Sequence, residues 1–145
     1  MPDINTPVLY TIGYGNKGIG HFIDRLVSNE ITMVYDVRLV PRSRDHDFNG
    51  YVLAHILDAY GIGYYHAKSA GNKYYKSPRP LEDYQKWLLG TDEGRDMSIT
   101  LGDRIFIDDN DYRVALMCSE YDPLMCHRSI LAHAITSCLC RIIHI

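Results

Sequence analysis

The first 117 residues contain no cysteine: Cys118, Cys126, Cys138 and Cys140 all fall near the end of the 145-residue chain. A disulfide framework would spread its bridges along the sequence, so none is expected here, and a reducing, cytoplasmic setting follows. Long apolar runs are missing too. Nothing approaches the ~20 residues that span a bilayer, and residues 1–5 lack the charged-then-apolar pattern of a signal segment. No membrane contact is therefore expected. Excess basic charge is also absent, since 15 Lys and Arg against 18 Asp and Glu give a net charge of -3. A sequence-blind nucleic-acid binder is normally basic, so that class starts at a disadvantage unless a local basic patch exists. No repeat and no Pro/Gly/Ser-rich linker divides the chain, which argues for a single domain over residues 1–145. What is present is an ordinary globular composition, 46 % hydrophobic and 23 % charged, in a chain long enough to bury a core.

Hydrophobic periodicity gives the order of elements. Residues 8–12 form a short apolar, β-branched run that stops at Gly13 and reads as a buried strand. Ile19, Phe22, Ile23, Leu26 and Val27 recur at helical spacing, so residues 18–29 read as an amphipathic helix. A second strand spans 31–37. A loop begins at Pro41, and a helix follows on Val52, Ile56, Leu57 and Tyr60, stopped by Gly61. The third strand is 62–66, and 67–80 is a loop. Helix 81–89 precedes one irregular helix within 91–110, flanked by acidic residues. The clearest strand is 112–118; a helix over 129–138 and a strand over 141–145 complete the pattern. Cys138 and Cys140 are expected to pack in the core. Alternation of strand and helix predicts an α/β fold, a three-layer Rossmann-like sandwich around a mostly parallel five-stranded sheet. In the common 3-2-1-4-5 order, ligands gather at the carboxyl ends of the strands around the switch between strands one and four.

The unusual residues do fall at those ends. Strand one ends in Gly13-Tyr14-Gly15-Asn16, strand two in Asp36-Val37-Arg38 with Arg42 and Arg44 following. Strand four ends in Cys118-Ser119-Glu120-Tyr121-Asp122, with Cys126-His127-Arg128 at a helix start. Gly13 and Gly15 suit a turn needing positive φ. With Gly18 they formally fit a dinucleotide fingerprint, a weak pattern alone; free N–H groups at that helix start favour a phosphate or another anion instead. Asp36 reads equally as a buried cap or a general acid/base. Arg38, Arg42 and Arg44 suit carboxylate or phosphate recognition, or form plain surface charge. Cys118 ends an apolar strand and can be a small buried hydrophobe. Cys126, at a helix N-terminus beside His127 and Arg128, has surroundings that lower a thiol pKa. Zinc ligation by Cys118, Cys126 and His127 ranks lower, because the seven residues between the cysteines do not match the usual C-x₂₋₄-C spacing. Glu120 and Asp122 fit either proton transfer or capping of the next helix.

Charge is unevenly spread. Lys68, Lys73, Lys76 and Arg79 share a loop without acidic residues, and Tyr64, Tyr65, Tyr74 and Tyr75 are interleaved with them. Rings and cations together suit stacked bases and phosphates, although a solvated loop with a few packed tyrosines explains them as well.

These same residues carry a family resemblance. Thr11-Ile12-Gly13-Tyr14-Gly15-Asn16, Asp36-Val37-Arg38 with Pro41-Arg42-Ser43-Arg44, Phe48-Asn49, His66, and Cys118-Ser119-Glu120-Tyr121-Asp122-Pro123 with Cys126-His127-Arg128-Ser129 resemble the DUF488 family over nearly the whole chain. That family comprises small prokaryotic proteins of unknown function. The resemblance implies one α/β domain and brings no reaction with it. The Gly-Gly pair usual after the strand-three histidine is replaced here by Ser69-Ala70-Gly71-Asn72. The chain stops soon after its last strand, so no further terminal helix is expected. A fainter resemblance, to rhodanese-like domains, rests on Asp-Val-Arg and on a later cysteine and Arg-Ser. Cys118 and Arg128 are ten residues apart, too far for the compact anion loop of that fold.

Three functional expectations follow. The first is an enzyme acting on an anionic, nucleotide-like or nucleic-acid substrate, with Arg38, Arg42 and Arg128 binding the anion. Cys118 or Cys126, with Glu120, Asp122 and His127, would supply the chemistry, and Asp36 would orient an arginine or act as a base. The second is a nucleotide or nucleic-acid binding module without chemistry. The third is a thiol or sulfur-handling protein using Cys118 and Cys126. No cofactor is identified from the sequence.

Overall fold

The structure is a computed structural model that describes residues 6–136 and 139–145. In chain order the elements are β1 (Val8–Gly13), α1 (Ile19–Ser28), β2 (Met33–Asp36), α2 (Gly50–Asp58), β3 (Gly63–His66), α3 (Pro80–Gly90) and α4 (Asp92–Asp103). A π-helical turn, Arg104–Asp108, continues α4, and β4 (Val114–Cys118), α5 (His127–Ile135) and β5 (Arg141–His144) follow. All four strand pairings are parallel. Helices cover both faces, so the α/β sandwich expected from the alternation is the fold observed. No helix among the described residues is long and apolar enough to cross a membrane.

The strand order is β3-β2-β4-β1-β5, which corrects the expected 3-2-1-4-5. β4, Val-Ala-Leu-Met-Cys, is buried at every position and lies at the centre, between β2 and β1, with the less buried β3 and β5 at the edges. Both orders keep β4 internal; they differ in the β1-to-β2 connection, which here skips one place in the sheet. The three polar strand ends remain neighbours, and they are level with one another: Gly13 pairs with Cys118, and Asp36 with both Met117 and His66.

Side chains alternate across the sheet with period two, and the two cores follow from that. Tyr10, Ile12, Val34, Ala115 and Met117 pack against Phe22, Ile23 and Leu26 of α1 and Leu53 and Leu57 of α2. Leu9, Tyr35, Val114, Leu116 and Cys118 pack on the other face, against Tyr84, Trp87 and Leu88 of α3, Leu101 of α4 and Leu131 of α5. Connections after β1 and β2 thus leave to one face and those after β3 and β4 to the other. The end of β4 is flanked on both sides by strands whose chains turn the opposite way, and a crevice opens there. Cys140 is half-buried and packs at the edge of the second core; Cys138 lies outside the described residues.

Candidate functional site

The alternation that places Leu116 on the α3–α5 face places Cys118 there as well. Beyond it the chain loops out and returns. The Asp122 carboxylate accepts from the Leu124 N–H at 2.9 Å and caps a 3-10 turn, Pro123–Met125. Cys126 then starts α5, its sulfur accepting from the Arg128 N–H at 3.5 Å. This return brings Cys126 and His127 back beneath Cys118. His127 Nδ1 is 3.9 Å from the sulfur of each cysteine, and the two sulfurs and Nδ1 all lie within 4.8 Å of one another. All three residues are buried and the cysteines are free thiols.

His127 is held from its other side. Nε2 is 2.8 Å from the Val37 carbonyl, an acceptor only, so Nε2 carries the proton and donates. The Nδ1 lone pair is left facing the sulfurs. The ring of Tyr84 meets the imidazole edge-on with centroids 4.9 Å apart, and the Tyr84 hydroxyl donates to the Ala70 carbonyl at 2.8 Å. Ala70 thus has a definite place in this chain's variant of the loop after β3. The two thiols titrate as a pair. A hydrogen bond from Cys126 holds Cys118 well below the usual thiol range; burial opposes this and His127 reinforces it. The same bond, with burial, pushes Cys126 up. Negative charge in the pair therefore resides on Cys118, near the positive end of α5.

A cavity of about 550 Å³ opens over the cluster. Cys118, Cys126 and His127 line it, Arg38, Arg42 and Glu120 contribute polar groups, and Val40, Tyr75, Leu81 and Met125 supply apolar wall. Val40, Tyr75 and Met125 are exposed, giving the mouth an apolar rim. Val40, Leu81 and Met125 carry no chemical signal in the sequence, and only their placement after β2, in α3 and just before α5 reveals them; Tyr75 belongs to the basic, tyrosine-rich loop.

Other residues expected at the site have definite partners. Asp36 is fully buried on the α1–α2 side of the sheet and faces away from the thiols. It accepts from Arg38 Nε at 2.9 Å, Arg38 Nη2 at 2.7 Å, the Arg38 N–H at 3.1 Å and the Tyr64 hydroxyl. Burial works against the Arg38 charge, but the bonds and charge of Asp36 outweigh it and the guanidinium pKa rises. Burial and Asp36 likewise raise Tyr64. Arg38 Nη1 also donates to the Tyr14 hydroxyl at 3.1 Å, and Tyr14 stacks on Phe48 at 4.0 Å. This network holds the end of β2 in place.

Arg128, fully buried, donates to the carbonyls of Glu120 at 2.6 Å and Tyr121 at 3.2 Å. It closes the β4–α5 loop by gripping its backbone. Gly13 permits that arrangement, because a Cβ there would lie 1.7 Å from the Glu120 oxygen. The N–H groups of Tyr14 and Gly15 donate to the carbonyls of Cys118 and Ser119. Gly15 is left-handed at φ 54°. Asn16 and Arg44 are exposed and lie outside the cavity lining. Arg42 is exposed and does line it.

The basic, tyrosine-rich loop is largely engaged with the protein itself. Lys73 pairs with Glu93 at 3.2 Å and lies over Trp87, and Arg79 pairs with Glu82. Tyr65 is covered by the Arg104 guanidinium at 3.6 Å, while Tyr75 remains exposed at the cavity rim. The acidic segment has a structural part as well, since Asp109 accepts from the Tyr35 hydroxyl.

Residues 18–135 match the family described as "Domain of unknown function DUF488". No curated protein and no solved structure matches the chain.

Proposed function

From the premise that the chain belongs to the DUF488 family, which carries no reaction of its own, we propose an enzyme whose reaction centre is the Cys118–Cys126–His127 cluster. Its substrate is a small anion with an apolar portion, held in the cavity above the cluster. One observation carries this reading: two thiols and an imidazole, all buried, converge to within 4.8 Å at the floor of a cavity wide enough for a small molecule. Nδ1 of His127 stands where it can take a proton from either thiol. Arg42 supplies the charge that recognises the anion, because the Arg38 guanidinium is paired with Asp36 and Arg128, which grips the Glu120 and Tyr121 carbonyls, does not line the cavity. Val40, Tyr75 and Met125 cover the substrate's apolar part. Glu120, exposed on the same wall, is the carboxylate available for proton transfer.

The test is a thermal-shift screen of the purified chain against small carboxylates, phosphates, sulfonates and nucleotides. A ligand at about 100 times its Kd stabilises the folded state by about 2.7 kcal/mol. A shift in the native protein that disappears in Arg42→Ala supports the reading. Absence of a shift with every anion, or a shift unaffected by Arg42→Ala, overturns the assignment of an anionic substrate to this cavity. A nucleic-acid module has less behind it, since two of the four cations of the basic loop, Lys73 and Arg79, are paired with carboxylates, and Tyr64 and Tyr65 are engaged with Asp36 and Arg104.

A further inference from the structure

We infer that Cys118, Cys126 and His127 form a binding site for a zinc-class divalent ion, with the ion's fourth position open to the cavity. Zinc–sulfur bonds of about 2.3 Å and zinc–nitrogen bonds of about 2.0–2.1 Å at tetrahedral angles put sulfur and nitrogen about 3.5 Å apart, and two sulfurs about 3.8 Å apart. Here each sulfur is 3.9 Å from Nδ1, and all three atoms lie within 4.8 Å of one another. The sulfur–nitrogen distances need to contract by about 0.4 Å and the sulfur–sulfur distance by at most about 1 Å to close the site, a range that side-chain torsions cover.

The imidazole is prepared for ligation. Donation from Nε2 to the Val37 carbonyl at 2.8 Å fixes the tautomer that presents the Nδ1 lone pair to the sulfurs, the outer-sphere arrangement usual for metal-bound histidine. Tyr84 fixes the ring plane from α3. At the start of α5, the Arg128 N–H donates to the Cys126 sulfur, which compensates a coordinating thiolate. On binding, any proton still held by the two sulfurs goes to solvent and each sulfur forms a bond to the metal; no electron changes hands. Two soft sulfurs and one imidazole select zinc, cobalt or iron(II) over magnesium or calcium, which require oxygen ligands.

Three protein ligands and one open position characterise catalytic rather than structural zinc. The cavity supplies the opening, with Glu120 on the same wall. The inference takes from the preceding section that this cluster is the working centre, but the two fail separately, because metal binding is read without substrate.

Reduced, chelator-stripped full-length protein is titrated with Co²⁺ alone and then back-titrated with Zn²⁺. A single ion per chain is expected, with a thiolate-to-cobalt charge-transfer band and the intense visible bands of tetrahedral cobalt, both abolished by zinc. Cys118→Ser, Cys126→Ser and His127→Ala each weaken Co²⁺ binding more than tenfold, whereas Cys140→Ser, at a half-buried thiol outside the cluster, leaves it unchanged. X-ray absorption of the zinc-loaded native protein supplies a readout that needs no variant, and a first shell with two sulfurs and nitrogen is expected. A spectrum without the thiolate band, a first shell without sulfur, or a band retained in folded Cys118→Ser overturns the site. A cobalt spectrum without any anion-induced thermal shift keeps the metal site and rejects the anionic substrate; the converse result does the opposite.

Discussion

Replacing Asp36 by Asn removes one charge and barely changes the side chain's volume, so it asks whether this carboxylate is structural. In the native protein the two oxygens accept from three Arg38 donors and from the Tyr64 hydroxyl. An asparagine turns an NH₂ group toward donors on one of its two sides, and it leaves an arginine that is only 5 % exposed without a counter-charge. Breaking a buried pair from one side costs about 3–5 kcal/mol. The hydrogen bonds that Asn retains return about 1 kcal/mol, leaving a loss of about 2–4 kcal/mol. At about 3–4 °C per kcal/mol for a chain of this size, Tm falls by roughly 7–14 °C. Urea denaturation followed by circular dichroism gives the free energy, with an unchanged m-value confirming that the same transition is observed. Tyr64→Phe, which removes one hydrogen bond and keeps the ion pair, serves as the reference at about 1–2 kcal/mol. A loss below about 1 kcal/mol in Asp36→Asn would refute the reasoning. The carboxylate would then not be committed to Arg38 and would be free for proton transfer.

Four further outcomes are expected. Gly13→Ala sets a Cβ 1.7 Å from the Glu120 oxygen and 2.9 Å from Arg128 Nη1, and denaturation should show a loss of about 3 kcal/mol or more. Gly20→Ala, in α1 with nothing within 4 Å, should be neutral or stabilising by up to about 1 kcal/mol. Arg128→Ala strips the carbonyls of Glu120 and Tyr121 of their buried donor. It should cost about 2–4 kcal/mol, so any loss of ligand binding comes with a lower Tm. Arg42→Ala, at an exposed side chain, should change stability by less than about 0.5 kcal/mol while removing the anion-induced shift in the same instrument.

Much of the architecture is legible in the sequence because period and burial agree. The short, almost continuously buried runs Val8–Gly13 and Met33–Asp36, the helical spacing of Phe22, Ile23 and Leu26, and the uninterrupted apolar run of β4 each dictate one kind of element. Strand order is less legible, since the connection from β1 to β2 gives no sign that it leaves a place for β4. The site divides along the same line. Cys118, Cys126, His127 and Glu120 stand out by chemistry, but the turn capped by Asp122 that folds seven intervening residues back is a matter of shape. Arg38, Arg42 and Arg128 look alike as anion receptors in one dimension. Two of them are taken up, by Asp36 and Tyr14 in one case and by the carbonyls of Glu120 and Tyr121 in the other. The Asp-Val-Arg spacing hints at the first pairing; nothing local hints at the second.

The central claim, a reactive thiol centre beneath an anion-receiving cavity, is tested most directly by comparing alkylation by iodoacetate and iodoacetamide on reduced, metal-free protein, with the modified cysteines identified by mass spectrometry. The reagents differ in charge and little in size, so the ratio of their rates at one cysteine reports the local preference for an anion. Cys140, outside the cavity lining, provides the internal reference. The account predicts that Cys118 favours iodoacetate relative to Cys140, and that Arg42→Ala abolishes the preference. Labelling confined to Cys140, or equal rate ratios at Cys118 and Cys140, would contradict it.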